Sequence, residues 1–153
     1  MSHPLDICPI DPRDPDAVIL IDLSEAEQAA IYPPEVRFAF SPQELVDSGV
    51  IFLIARRDGA PVGCGGVTPL DGYGELKRIF TIPEARGTGV AAALLAALES
   101  AARAQGLPIL RLETGEDSPE ALAFYAKNAY SRRGPFGDYQ ENGASVFMEK
   151  RLG

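Results

Sequence analysis

One stretch narrows the possible folds of this chain more than any other. From Glu75 to Ile82 it reads Glu-Leu-Lys-Arg-Ile-Phe-Thr-Ile, with Leu76, Ile79, Phe80 and Ile82 apolar and Thr81 β-branched, which is the composition of a strand. Pro83-Glu-Ala follows, then Arg86-Gly-Thr-Gly-Val-Ala91. From Val90 to Ala104 strong helix formers dominate, with Leu94, Leu95 and Leu98 at 3/4 spacing. Gly106 stands where a helix C′ glycine belongs. A strand therefore feeds a glycine loop, and the loop opens a helix. Such a join aims several backbone N–H groups, and the positive end of the helix dipole, at one point. That point suits a phosphate or pyrophosphate. Gly87 and Gly89 lack Cβ, so a ligand can approach the backbone closely. The same glycines also suit a plain strand-to-helix turn, and the loop alone does not choose between the two.

At 153 residues and 46% apolar composition, the natural expectation is one domain over 1–153. A chain of this size buries about 70% of its unfolded surface, enough for a core without staples. No apolar run approaches a membrane span, and the N-terminus lacks the basic-then-apolar pattern of a signal peptide. Cys8 and Cys64 are the only cysteines, so neither a disulfide framework nor a metal site is expected. These features point to the cytoplasm. A net charge of −8 argues against nucleic acid and anionic membranes as partners, and leans toward a cationic or amine-bearing small molecule.

Taken in order, Leu5 to Ile10 alternates as a first strand. Asp14-Pro15 reads as an N-cap followed by proline at the first helical position. The helix runs to about Ala30, with Val18, Ile19, Leu23, Ala26 and Ala30 inward, and stops before Tyr32-Pro-Pro. Ser41-Pro-Gln-Glu44 is a capping box opening a short second helix. Val50 to Arg57 and Pro61 to Thr68 form a hairpin across Asp58-Gly59. Gly63, Gly65 and Gly66 mark a bulge or a close contact in its second strand. Asp71-Gly-Tyr-Gly74 turns the chain into the organising strand. Pro108 to Glu113 is a buried strand, and Ser118-Pro-Glu caps a helix to about Asn128. Ala129 to Arg133 and Ala144 to Lys150 close the chain as strands around a loop, Gly134 to Gly143. The order β-α-α-β-β-β-α-β-α-β-β predicts an α+β, three-layer architecture: a mixed, mostly antiparallel central sheet with helices on both faces.

Two phosphate-binding motifs compete for the loop. Gly87-x-Gly89-x-x-Ala92, with Glu113 ending the next strand, matches a dinucleotide fingerprint. Three features oppose it. Pro83-Glu-Ala-Arg separates strand from glycines, where the dinucleotide loop turns directly. The strand carries Glu75, Lys77 and Arg78, unlike the apolar strands of a parallel sheet. Hairpins, not βαβ units, precede it. A Walker A loop is excluded because no Gly-Lys-Ser/Thr follows.

The segment Arg86-Gly-Thr-Gly-Val-Ala91 resembles the Arg/Gln-x-x-Gly-x-Gly/Ala signature of the GNAT superfamily of acyl-CoA N-acyltransferases. Ser118-x-x-Ala121-x-x-Phe124-Tyr125, followed by Lys127-Asn-Ala-Tyr130, is similar to that family's second block. The likeness runs from about Val50 to the C-terminus. Tyr32-Pro-Pro-Glu, Leu112-Glu-Thr-Gly115 and Pro135-Phe-Gly-Asp-Tyr139 look like phrases of one bacterial subgroup. Ser118 departs from the family's usual asparagine, and its N-cap position is a sufficient structural reason. Ala129 replaces a usual glycine.

The resemblance implies an N-acetyltransferase that carries an acetyl group from acetyl-CoA to a primary amine of a small molecule, with no metal, by direct attack in a ternary complex. It would place the pyrophosphate on the backbone of Arg86, Gly87, Thr88, Gly89, Val90 and Ala91, with Ser118 at the cofactor, and lay the pantetheine arm along Phe80, Thr81 and Ile82. An N–H near Phe80 would polarise the acetyl carbonyl. Tyr125 would protonate the departing thiolate, and Glu75 would act as base. Lys77, Arg78, Arg132 and Arg133 are candidates for the 3′-phosphate or the substrate. Many relatives are dimers, so a homodimer is consistent with this reading. A non-catalytic acyl-CoA-binding regulator on the same fold is the alternative. His3 is the single histidine, which excludes a histidine triad, and Cys64 reads as a small core residue. Loop composition points to an acceptor site between residues 32–40 and 134–143, with Arg37, Phe38, Phe136 and Tyr139 facing the substrate.

Overall fold

The computed structural model describes residues 4–36 and 40–153. Seven strands form one sheet: β1 (Leu5–Pro9), β2 (Ile51–Arg57), β3 (Ala60–Leu70), β4 (Tyr73–Thr81), β5 (Ile109–Gly115), β6 (Ser131–Arg133) and β7 (Ser145–Arg151). Four helices connect them: α1 (Pro15–Ile31), α2 (Pro42–Asp47), α3 (Val90–Ala104) and α4 (Pro119–Lys127). The order across the sheet is β1-β2-β3-β4-β5-β7-β6, antiparallel except for the parallel pair β4–β5. The expected architecture and element order are both present.

Local chemistry explains the elements. Asp14 accepts a bond from the Asp16 N–H at the start of α1, ahead of Pro15. Ser41 and Glu44 complete the capping box of α2. Asp58 and Gly59 both take positive φ, as a tight two-residue hairpin turn requires. Period-2 alternation then divides β2 between two cores: Leu53 and Ala55 face the α3 side, Phe52 and Ile54 the α1 side. Gly63 and Gly65 let α3 sit directly on β3, since a Cβ on Gly63 would meet Val90 Cγ1 at 2.8 Å.

Helix α1 differs from expectation in its buried face. Ala17, Leu20, Ile21 and Ser24 are buried, while Ile19 is 54% and Leu23 46% exposed, and Ala26 and Ala30 are exposed too. The α1 sequence is apolar almost all round, so periodicity does not choose a side. The choice falls to the neighbours: Phe52, Ile54, Cys64 and Phe80 accept the stripe beginning at Ala17.

Two departures from a regular sheet create the site. Strand β4 pairs with β5 only at Gly74–Leu110 and Glu75–Arg111, whereas β5 pairs with β7 along all seven of its residues. Beyond Glu75 the two parallel strands therefore diverge. On its other side β4 carries a bulge, because Cys64 pairs with Phe80 but Gly66 pairs with Lys77. Gly65 thus faces both Arg78 and Ile79, and Arg78 takes φ 55°.

Candidate active site

The divergence opens a cleft of about 1000 Å³ between β4, β5, α1, α3 and α4. At one end the glycine loop joins Pro83–Ala85, a single 3-10 turn, to α3. Gly87 and Gly89 take φ 77° and 90°, so both need the left-handed region. The N–H groups from Gly87 to Ala92 have no hydrogen-bond partner among the described residues. Together they form a row of donors at a helix N-terminus, which is a ready anion seat. Thr88 braces this row. Its hydroxyl donates to the Ala85 carbonyl, and Arg57 on β2 donates to the Thr88 hydroxyl (2.6 Å) and carbonyl (2.9 Å). Arg86 bonds the Thr81 carbonyl (3.0 Å) and pairs with Glu27 of α1 at 2.6 Å.

Along the cleft, Phe80, Thr81, Arg86, Gly87, Gly89, Val90, Ala91, Ser118, Glu75 and Tyr125 all contribute to the wall. Thr81 Oγ1 is buried with no partner, the one such atom among the described residues. A buried hydroxyl without a partner is costly, so this position is open to a further hydrogen bond. The edge of β4 toward the gap and this orphan hydroxyl suit an extended, amide-bearing arm. Two residues differ from their expected roles. Ile82 donates its N–H to the Val62 carbonyl and accepts from the Ala85 N–H, so its backbone is already committed. Ser118 makes no side-chain cap; its hydroxyl instead lies 2.9 Å from the Tyr32 hydroxyl. Tyr32 also accepts from the Asp117 N–H at 3.0 Å, and so ties the end of α1 to the start of α4. Gly115 makes this possible, since a Cβ there would stand 1.7 Å from the Tyr32 oxygen.

Two carboxylates, Glu75 and Glu113, also line the cleft. Glu75 is 6% exposed, contacts Lys77 at 2.9 Å and accepts from Tyr139 at 2.6 Å. It is therefore not a solvent-facing strand charge. Glu113 lines the cleft from the facing strand β5 and accepts from Ser145 Oγ at 2.7 Å. Burial pushes its carboxyl up to about 7, against the opposing pull of Ser145 and Lys77. Tyr125 lies between Phe124 and Tyr130, with ring centroids at 5.3 and 5.6 Å. Desolvation raises the pKa of its hydroxyl, so it stays protonated at neutral pH. The Cys64 thiol is buried and pushed up to about 12, as befits a core residue.

A second cavity adjoins the first and shares Phe40, Glu75, Lys77 and Tyr139 with it. Phe136 and Tyr139 lie in its wall as expected, though Phe136 is mostly buried against Tyr73, Tyr139 and Phe147. Arg37 and Phe38 lie outside the described residues. The Arg78 side chain is buried in the cleft wall, and its guanidinium is engaged by the Phe40 carbonyl and Glu25. Arg132 and Arg133 pair with Glu116 and Glu149.

Comparison with known proteins agrees with this geometry. The profile of the acetyltransferase (GNAT) family matches residues 18–130. The chain belongs to the GNAT acetyltransferase family. It is thus an acyl-transferring enzyme by family, and acetyl-CoA is the family's acyl donor. It is 43% identical over 141 residues to an "IAA acetyltransferase" of Azospirillum brasilense, covering 90% of this chain and 92% of that one. It is 32% identical over 123 residues to the N-acetyltransferase YsnE of Bacillus subtilis, covering 78% and 82%. Among solved structures, a protein described as an acyl-CoA N-acyltransferase from Klebsiella pneumoniae superposes with TM-score 0.82 at 37% identity, over 97% of each chain. The PaiA N-acetyltransferase of Thermoplasma acidophilum, solved with coenzyme A, shares the fold at TM-score 0.76 and 22% identity, over 99% of each.

Proposed function

We propose that this GNAT enzyme transfers an acetyl group from acetyl-CoA to a primary amine of a small molecule, by direct attack within a ternary complex. The observation that carries the reading is the row of unpartnered N–H groups from Gly87 to Ala92, opening onto the same gap as the Tyr125 hydroxyl. The row would hold the pyrophosphate, with Arg86 at its edge. Thr81 would complete its bonding on the pantetheine arm. The bulge at Arg78 and Ile79 breaks the regular ladder just before Phe80, where a main-chain N–H would polarise the thioester carbonyl.

The chemistry then needs a base and an acid. The amine must be neutral to attack. Glu113 is the better acceptor of its proton, because its carboxyl titrates near neutrality. Glu75 is engaged by Lys77 and Tyr139, and acts by holding those two groups in place. The amine lone pair attacks the thioester carbon, the C–S bond breaks, the Tyr125 hydroxyl proton passes to the leaving sulfur, and the N–H proton shed as the amide forms returns to the Tyr125 oxygen. A thiolate of ordinary pKa about 8.5 leaves more readily with that donor in reach.

Two measurements test the reading. Coenzyme A at 100 times its dissociation constant should stabilise the fold by about 2.7 kcal/mol, seen as a raised melting temperature. A panel of primary amines should then release free CoA thiol. Stabilisation without release from any amine would favour a binding protein, and stabilisation by NAD instead of CoA would reject the loop assignment.

A further inference from the structure

The second cavity has a charge pattern that narrows the acceptor. It encloses about 870 Å³ and meets the cleft at the Glu75–Lys77–Tyr139 cluster. Its inner wall is aromatic: Phe40, Tyr73, Phe136 and Tyr139, with Phe136 edge-on to Tyr73 at 5.7 Å and to Tyr139 at 5.1 Å. Its outer rim carries Glu35, Asp71, Asp138 and Glu141, all exposed and none paired with a cation among the described residues. Lys77 is the one cation lining the cavity among the described residues, and Glu75 already neutralises it. Arg111 and Arg133 stack on Tyr73 and Phe136, but both are engaged by Glu149.

The chain itself shows what this lining accommodates. The Lys77 ammonium sits 4.1 Å above the Phe40 ring and 5.9 Å from the Tyr139 ring, beside a carboxylate. Aromatic faces and carboxylates together are the environment an ammonium favours after leaving water. The converse holds for a carboxylate-bearing acceptor, which would meet a like-charged rim with no unengaged cation among the described residues.

Resting on the acetyl-transfer reading above, we infer that the acceptor bears a second positive charge besides the amine that is acylated. The occupant of this cavity is a short diamine or polyamine. The reacting amine reaches past Tyr139 toward Glu113, and the second ammonium stays among the aromatic wall and the acidic rim.

The test is a matched set of acceptors: putrescine, butylamine with the second charge removed, and γ-aminobutyrate with it reversed. Thiol release should give putrescine a kcat/KM at least about tenfold above butylamine, with γ-aminobutyrate lowest, as expected from several weak exposed charge contacts acting together. The gap should narrow when salt rises from about 50 mM to about 500 mM. In the double variant Asp138→Asn/Glu141→Gln the putrescine-to-butylamine ratio should fall through KM. Both residues are exposed loop positions, so the fold should persist. Equal turnover of putrescine and butylamine, or a better γ-aminobutyrate, would overturn the inference. If CoA binds but no amine is acetylated, the transfer reading fails separately. Calorimetric titration of the CoA-saturated protein then decides: heat with putrescine and none with butylamine supports the charge selection, and its absence rejects it.

Discussion

The two halves of the site are built from different materials. The half proposed to take the donor, from Thr81 to Ala92, offers main chain: unpartnered N–H groups, two glycines at positive φ and a splayed strand edge. The half proposed to take the acceptor offers side chains: Glu75, Lys77, Tyr139 and Glu113, with aromatic and acidic residues beyond. A main-chain cradle depends on backbone conformation, so few residue types satisfy it and it leaves a short motif. A side-chain pocket depends on which loops meet, and many sequences can line one. The first half suits a donor common to a family, and the second sets what an individual enzyme acts on.

The comparison predicts a graded set of outcomes. The largest should come from Tyr125→Phe at the meeting point: kcat falls by about 10²–10⁴ while CoA affinity, read by calorimetry, is unchanged. A fall in affinity of similar size would make Tyr125 part of the donor cradle. Glu113→Gln should lower kcat/KM by about 10²-fold and remove the acid limb near pH 7, since activity needs the ionised carboxylate. The same residue makes a stability prediction. Its carboxyl titrates at 4.5 unfolded and about 7 folded, so ionisation in the native state costs stability. That cost is absent below about pH 4.5, grows from there and is complete above about pH 7. Glu113→Gln should therefore gain stability relative to the parent at pH 8 and lose that gain at pH 4, measured by urea unfolding. Gly115→Ala should cost about 1–3 kcal/mol of stability by forcing Tyr32 off α4, visible as a lower melting temperature. Gly89→Ala should act on the donor half alone, raising KM for acetyl-CoA about fivefold through a strain of about 1 kcal/mol at φ 90°, with kcat nearly unchanged. A shift in acceptor KM of the same size would mean the two halves are coupled.

Much of the chain was legible before folding. Proline and capping residues set the starts of α1 and α2, Asp58-Gly59 the first hairpin, and Arg86-Gly-Thr-Gly the turn into α3. The inward face of α1 does not follow from its sequence, because its apolar residues ring the helix and favour no side. The side chain of Ser118 was read as a cap and instead meets Tyr32. Glu113 was visible only as a strand-ending acid within a rival motif. Its raised proton affinity comes from burial in the assembled cleft, against the opposing hydrogen bond from Ser145 on a strand that follows much later in the chain.

The phrases around Tyr32, Gly115 and Tyr139 show where the division falls. By itself the sequence determined the elements, their order and the glycine turn that opens α3, since these arise from interactions among near neighbours in the chain. Only the tertiary structure decided that Tyr32 packs on Gly115 and that Tyr139 reaches Glu75. Those pairs lie far apart in sequence, and β4 and β5 bring them together by separating after two paired residues. Which groups lose water, and so which carboxylate can take a proton at neutral pH, is a property of that assembled space rather than of any single segment.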